Sequence, residues 1–258
     1  MSYRAINTLK EVDFIAAEDT RVTLKLLNHF DIKKPMISYY EHNLRERGEY
    51  ILNRILNGET CAIVSDAGMP CISDPGEDLV RICAEQNVDI KIIPGPSAVI
   101  SGLCLSGLKT SRFTFEGFLS TAKTNRMQHL NSLKQEERTM IFYEAPHKLL
   151  STLKDMQSYF GNRKISIARE LTKVYEQVMR TTLDEAVVFY SENTPKGEFV
   201  LVIEGAAPIQ EEKITLEQAI EKANEMVQNG VKATDAAKQI AKQTNFKKSD
   251  IYNALLEI

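Results

Sequence analysis

Residues Cys61–Ala98, CAIVSDAGMPCISDPGEDLVRICAEQNVDIKIIPGPSA, constrain the fold more than any other stretch of the chain. They contain two short apolar runs, Cys61–Val64 and Ile90–Ile93, with the length and β-branched content of buried parallel strands. Each run closes in a loop of small or special-geometry residues, Ser65-Asp66-Ala67-Gly68 after the first and Pro94-Gly95-Pro96-Ser97 after the second. Between them the spacing predicts a helix, with Asp74 as N-cap, Pro75 at its first position and Glu77 three residues after the cap. Strands joined in this way need a right-handed crossover, and ligands on such sheets bind outside the carboxyl ends of the strands. Both loops should therefore face one crevice.

The same alternation runs through the preceding residues. Tyr3–Val12 reads as an amphipathic helix and Phe14–Ala17 as a buried strand opening into the charged loop Glu18-Asp19-Thr20-Arg21. A helix follows to about Phe30, then a strand at Met36–Tyr39 and a helix Leu44–Leu56 stopped by Asn57-Gly58. This repeated strand–helix order predicts an α/β layer with a parallel sheet. Arg112–Phe115 reads as its last strand and Glu116-Gly117 as a hinge, so the first domain is placed at residues 1–117.

Beyond the hinge, strands are expected at Thr139–Tyr143, Lys164–Ala168, Val174–Arg180 and Phe199–Glu204. Some of these follow one another without a long crossover, which predicts a mixed-sheet α+β domain over 118–207. A polar linker, Ala206–Glu212, leads to a helical extension over 213–258 that resembles a helix-turn-helix module. Between Asn229 and Asp250 five lysines (232, 238, 242, 247 and 248) face two aspartates.

Net charge is −3, which excludes a globally basic nucleic-acid binder and leaves only local patches for RNA. No apolar run approaches the ~20 residues of a membrane span, and the first residues lack a signal-peptide core. Cys61, Cys71, Cys83 and Cys104 form no C-x-x-C pair and read as reduced, mostly buried thiols of a cytoplasmic protein. Four scattered histidines offer no metal-ligand spacing, so no metal is expected.

Seven motifs occur in one order: AAEDTR (16–21), SDAGMPCISDPG (65–76), PGPSA (94–98), FEGF (115–118), IFYEAPHK (141–148), ARELTK (168–173) and GEFVLVIEG (197–205). Together they resemble the ribosomal RNA small subunit methyltransferase I family of the tetrapyrrole-methylase-like class, over about residues 2–205. The resemblance implies an α/β, two-domain tetrapyrrole-methylase-like fold with a parallel-sheet first domain, a mixed-sheet second domain and a small helical extension. It implies S-adenosylmethionine-dependent 2′-O-ribose methylation of a cytidine in 16S rRNA within the small ribosomal subunit, by a homodimer with the cofactor between its two domains. Family members carry a further strand and a TPIGNL-like loop ahead of the segment matching Met1–Val12. In them that strand lies inside the first sheet, so its lack should leave unpaired backbone groups, each costing roughly 1–3 kcal/mol where it stays buried. A small-molecule methyltransferase acting on a tetrapyrrole precursor, or a non-catalytic binding protein, are the competing readings.

The candidate site residues follow from both lines of reasoning. Ser65, Asp66, Ala67, Gly68 and Met69 allow close backbone approach and supply a carboxylate for a cationic ligand. Ser97 and Ala98 offer free N–H groups at a helix start. Tyr143 and Ala168 are cofactor-wall candidates by the resemblance. Asp19, Glu144 and Glu170 are candidates for a general base toward a ribose hydroxyl. Arg21, Arg169, Lys238, Lys242, Lys247 and Lys248 are candidates for RNA contact.

Overall fold

The computed structural model describes residues 1–208 and 215–256, which fall into two compact units, Met1–Ala206 and a helical unit from Ala207 onward. The first unit opens with α1 (Tyr3–Glu11), β1 (Phe14–Ala17), α2 (Thr20–His29), β2 (Met36–Ser38), α3 (Leu44–Leu56) and β3 (Cys61–Val64). β1 is buried at all four positions and is flanked by β2 and β3, both parallel to it, in the order β2-β1-β3. Its two faces are covered separately. Ile15 and Ala17 pack with Leu9, Val12 and Leu27, whereas Phe14 and Ala16 pack with Ile51, Leu79 and Cys83.

Two expectations for this layer are corrected. Ile90–Ile93 forms no strand and pairs with none among the described residues, and Ile90 and Ile92 are 45% and 70% exposed. With no neighbouring strand among the described residues the run has no ladder to join, so its β-propensity is not realised. The second correction concerns α4 (Glu77–Glu85), whose N-cap is Gly76 rather than Asp74. Cys71 and Ser73 both take positive φ, and the loop closes so tightly that a Cβ on Gly76 would lie 2.6 Å from Cys71 Sγ and 2.9 Å from Ile63 Cδ1. That turn postpones the helix and releases the Asp74 carboxylate from capping.

α5 (Ala98–Ser106) ends the first layer by packing onto the second sheet. Val99 and Leu103 sit among Ile141, Ala168, Val200 and Val202, and a Cβ on Gly102 would lie 2.8 Å from Val200 Cγ1. The α5 C-terminus is capped from the same sheet by Arg180, which donates to the Leu105 carbonyl.

The second sheet is mixed, in the order β4-β5-β8-β6-β7 for β4 (Phe113–Phe118), β5 (Thr139–Glu144), β6 (Lys164–Arg169), β7 (Gln177–Thr182) and β8 (Phe199–Ile203). The central strand β8 is buried throughout and runs antiparallel to both β5 and β6. β4, expected in the first layer, instead pairs parallel with β5, and the register shifts between Phe115 and Gly117 where Gly117 has φ 64°. The helices α6 (Lys123–Ser132), α7 (Leu149–Phe160) and α8 (Leu183–Glu192) belong to this layer. α8 begins at the expected capping box, with both the Thr182 and Glu185 bonds made. The core on this side gathers Leu130, Phe142, Leu149, Leu153, Met156, Leu183 and Leu201. β7 starts at Gln177, later than the sequence suggests, because residues 173–176 turn instead of extending.

The helical unit contains α9 (Leu216–Gln228), α10 (Ala233–Gln243) and α11 (Lys248–Leu256). Small residues Ala219, Ala223, Ala236 and Ala237 let these helices close around Ile240 and Ile251. Thr215 and Gln218 form the expected capping box. Of the expected linker and helical extension, residues 209–214 and 257–258 lie outside the described residues.

Candidate functional site

The carboxyl ends of β1 and β3 are bolted together. The Asp19 N–H donates to Asp66 Oδ1 at 3.1 Å, and the Asp66 N–H donates to Glu18 Oε2 at 3.2 Å. Loop 65–69 also meets loop 94–97. A Cβ on Gly68 would lie 3.4 Å from the Pro96 carbonyl, and one on Gly95 would lie 3.2 Å from Met69 Sδ. Gly68 has φ 79°, a backbone conformation that side chains rarely adopt, so this contact depends on glycine. Ser73 Oγ approaches from the same side, 4.0 Å from where a Cβ on Gly117 would be; Glu116-Gly117, expected as a hinge, lies within β4. One crevice therefore receives both loops and the end of β4.

The register of the second sheet supplies the opposite wall. Phe118, Tyr143, Val200, Ala168 and Val178 are successive partners across β4, β5, β8, β6 and β7. Tyr143 stacks edge-on with Phe115 at 5.0 Å between ring centroids and lies 5.5 Å from Phe118, which is 56% exposed. Burial raises the Tyr143 hydroxyl above its usual pKa, the neighbouring Val99 amide opposes this, and the Asp74 charge adds to it. Ala168 is buried in the same row beneath α5. Ser97 is the N-cap of α5 but its hydroxyl makes no capping bond, which leaves that helix start with free N–H groups beside the crevice.

Asp74 is the residue that sequence reasoning misplaced. It is half-buried, and burial first, then the charges of Glu18 and Asp66, push its pKa up to about 6 against a hydrogen bond from Ser65. Three carboxylates thus converge at the strand ends, a donor set suited to a cationic group. The aromatic pair Phe115 and Phe118 was visible only as the alternation in FEGF.

The three general-base candidates are all engaged. Asp19 accepts from Arg21 Nε at 3.0 Å and Nη2 at 2.6 Å, and these bonds hold its pKa down at about 2. Glu144 is 4% exposed and accepts from Thr152 Oγ1 and the Ala145 N–H. Glu170 accepts from the Glu198 N–H at 2.9 Å and from Lys173 Nζ at 3.1 Å, which together keep its pKa low. Of the cationic candidates, Arg21 is paired with Asp19 and Arg169 donates to the Lys196 carbonyl. Lys238, Lys242, Lys247 and Lys248 are exposed, the first two one turn apart on α10.

Comparison with known proteins agrees with this architecture. The model of the Tetrapyrrole (Corrin/Porphyrin) Methylases family matches residues 1–187. The chain is 48% identical over 259 residues to the Ribosomal RNA small subunit methyltransferase I of Synechocystis sp., covering 100% of this chain and 93% of that one. It is 46% identical over 256 residues to the protein of the same name from Halalkalibacterium halodurans, covering 98% and 89%. A solved cobalt precorrin-4 methyltransferase shares the fold at a TM-score of 0.56 and 16% identity, covering 78% of this chain and 88% of that one. The chain is a methyltransferase and belongs to the tetrapyrrole methylase family, among the ribosomal RNA small subunit methyltransferase I proteins.

Proposed function

We propose that this enzyme methylates the ribose 2′-oxygen of a cytidine in 16S rRNA within the small ribosomal subunit, with S-adenosylmethionine as donor. The observation that carries the reading is the crevice where loops 65–69 and 94–98 meet Tyr143, in a chain whose full-length relatives bear the rRNA methyltransferase name. The fit to the donor rests on its charge, because its sulfonium and amino groups are cationic and Asp66, Asp74 and Glu18 converge there. When bound, the donor supplies an electrophilic methyl group on sulfur.

Ser65, Asp66, Ala67, Gly68 and Met69 would cradle it on one side, with Ser97 and Ala98 at the α5 N-terminus and Tyr143 on the other. Ala168 would act from beneath, by setting the floor of the row in which Tyr143 stands. Asp19, Glu144 and Glu170 are each committed to a neighbouring donor, which favours holding roles for them over proton removal. The chain's contribution to rate is then chiefly alignment of nucleophile, methyl carbon and sulfur. The resemblance extends the reading to a cytoplasmic homodimer, which sedimentation would test.

RNA contact is assigned to the tail lysines before Arg21 and Arg169. Lys247 and Lys248 stand at the opening of α11, where the helix dipole disfavours cations, so a purely helix-stabilising role explains them poorly. Each phosphate contact contributes a slope of roughly 0.7–0.9 in log affinity against log salt. Changing all four lysines to Gln should therefore flatten the salt dependence of subunit binding by about 3. Parallel salt plots for the two proteins would assign these lysines to solvation alone.

The direct test is incubation with methyl-labelled S-adenosylmethionine and purified small subunits, followed by nucleoside analysis. Label in 2′-O-methylcytidine is the expected result. Label in a base refutes the ribose assignment, label in a small molecule favours the tetrapyrrole reading, and no transfer refutes both.

A further inference from the structure

Between β6 and β7 the chain makes two successive turns, closed by Lys173 N–H to the Glu170 carbonyl at 2.8 Å and Glu176 N–H to the Lys173 carbonyl at 3.2 Å. Val174 and Tyr175 occupy the corners of the second turn and are 93% and 73% exposed. Such corners ordinarily carry Gly, Pro, Asn, Asp or Ser, each for a local conformational reason. A β-branched residue and an aromatic have no such reason to be there, and neither is buried in return.

The stem of this tip is braced. Lys173 Nζ bridges Glu170 at 3.1 Å and Glu198 at 2.9 Å, and the Glu198 N–H donates to Glu170 at 2.9 Å. Glu170 itself takes φ 50°, and a Cβ on Gly197 would fall 2.5 Å from its Cγ. The ring is thus held out on an ordered support, so little conformational freedom is left to lose on binding. Strand register fixes where it stands. Arg169 pairs with Phe199, which pairs with Glu144, so the tip leaves the sheet at the end that carries Tyr143 and Phe118.

We propose that Tyr175 is a stacking platform for an unpaired base of the RNA, next to the nucleotide presented to the crevice. The proposal rests on the rRNA reading above. The chemistry of the tip itself favours a base. The Lys173 ammonium is bound in two ion pairs, and Glu170, Glu176 and Glu198 surround the tip. The cations at the stem, Arg169 and Lys196, stand behind the tip where a flanking phosphate could reach them, whereas the tip itself presents Val174 and Tyr175, and an aromatic face accepts any base. Bases inside a duplex are already stacked, so the platform selects a single-stranded loop. A two-residue corner is far smaller than the roughly 800 Å² per partner of a stable protein interface, which argues against a second copy as its occupant.

The chain contains no tryptophan, so Tyr175→Trp introduces a single reporter. Its emission should be quenched as purified small subunits or a single-stranded RNA oligonucleotide are added. Tyr175→Ala should weaken subunit binding about 5- to 150-fold, the range that stacking on one base supports, while Tyr175→Phe keeps wild-type binding. S-adenosylmethionine affinity and the salt slope should stay unchanged in both. Wild-type binding by Tyr175→Ala, or tryptophan emission that follows protein concentration instead of RNA, overturns the proposal, the latter in favour of a contact between copies. If the wild-type enzyme labels no rRNA, the rRNA reading fails first and the proposal with it. If it labels rRNA and Tyr175→Ala does so equally well at limiting subunit concentration, the proposal alone fails.

Discussion

The two sheets of the first unit solve the same problem to different extents. The mixed sheet has five strands, and its centre, β8, is buried at every position with partners on both sides. The parallel sheet has three, and only β1 is fully buried, whereas β2 and β3 are half-buried edges. Parallel sheets are normally covered on both faces and continued on both sides. Here β3 ends the ladder, and the apolar run at 90–93 finds no strand partner among the described residues. The contrast suggests a division of labour. Stability resides mainly in the mixed sheet, while the open sheet carries the loops that bind.

The largest effect expected from this division is on folding. Leu201 is fully buried at the centre of β8, so Leu201→Ala should cost about 2–5 kcal/mol in a urea melt. Ile63, half-buried on β3, should cost only about 1 kcal/mol on the same change. Equal losses at the two positions would break the comparison.

A second test concerns the acid cluster at the parallel strand ends. Asp74 has its pKa raised from 3.8 to about 6, so the folded state favours its protonated form. Fold stability should therefore increase as pH falls through 6, and this gain should be lost as pH rises again. Affinity for a cationic donor should move the other way, weakening about tenfold from pH 7 to pH 5 as the charge is lost. The groups facing it are Glu18, Asp66, Ser65, Cys71 and Tyr143. Asp74→Asn should flatten both profiles, and a pH dependence unchanged in that variant would assign it to one of the neighbours.

The smallest expected effect lies in the mixed sheet. Ser166 is buried on β6, and its hydroxyl has no hydrogen-bond partner among the described residues. Ser166→Ala should be neutral or stabilising by up to about 1 kcal/mol in thermal melts, and a clear loss would reveal a bond the packing conceals.

How much of this was legible beforehand depends on whether the signal was local. β1, β3 and α3 are read at their full bounds because apolar runs and stop residues set them locally. The capping boxes at Thr182 and Thr215 are equally local. The misreadings are non-local. Whether Ile90–Ile93 becomes a strand depends on a partner, and whether β4 joins the first or second sheet depends on β5. The α4 start moved because Cys71 and Ser73 adopt positive φ, which neither residue type announces. At the site, the loop glycines and Asp66 could be read from strand–loop patterning. Asp74 could not, because its proximity to Glu18 and Asp66 is made only by the closed loop.

The central claim is that the open sheet's loop 65–69 holds the donor while the mixed sheet holds the fold. Calorimetric titration of S-adenosylmethionine into the wild-type chain and into Asp66→Ala tests it most directly. A charge-assisted contact contributes roughly 1.5–3 kcal/mol, so the variant should bind at least about tenfold more weakly, while the fold loses only the Asp19 N–H bond, about 1 kcal/mol in a urea melt. Unchanged affinity in Asp66→Ala would contradict the claim and move the donor away from the carboxyl end of β3.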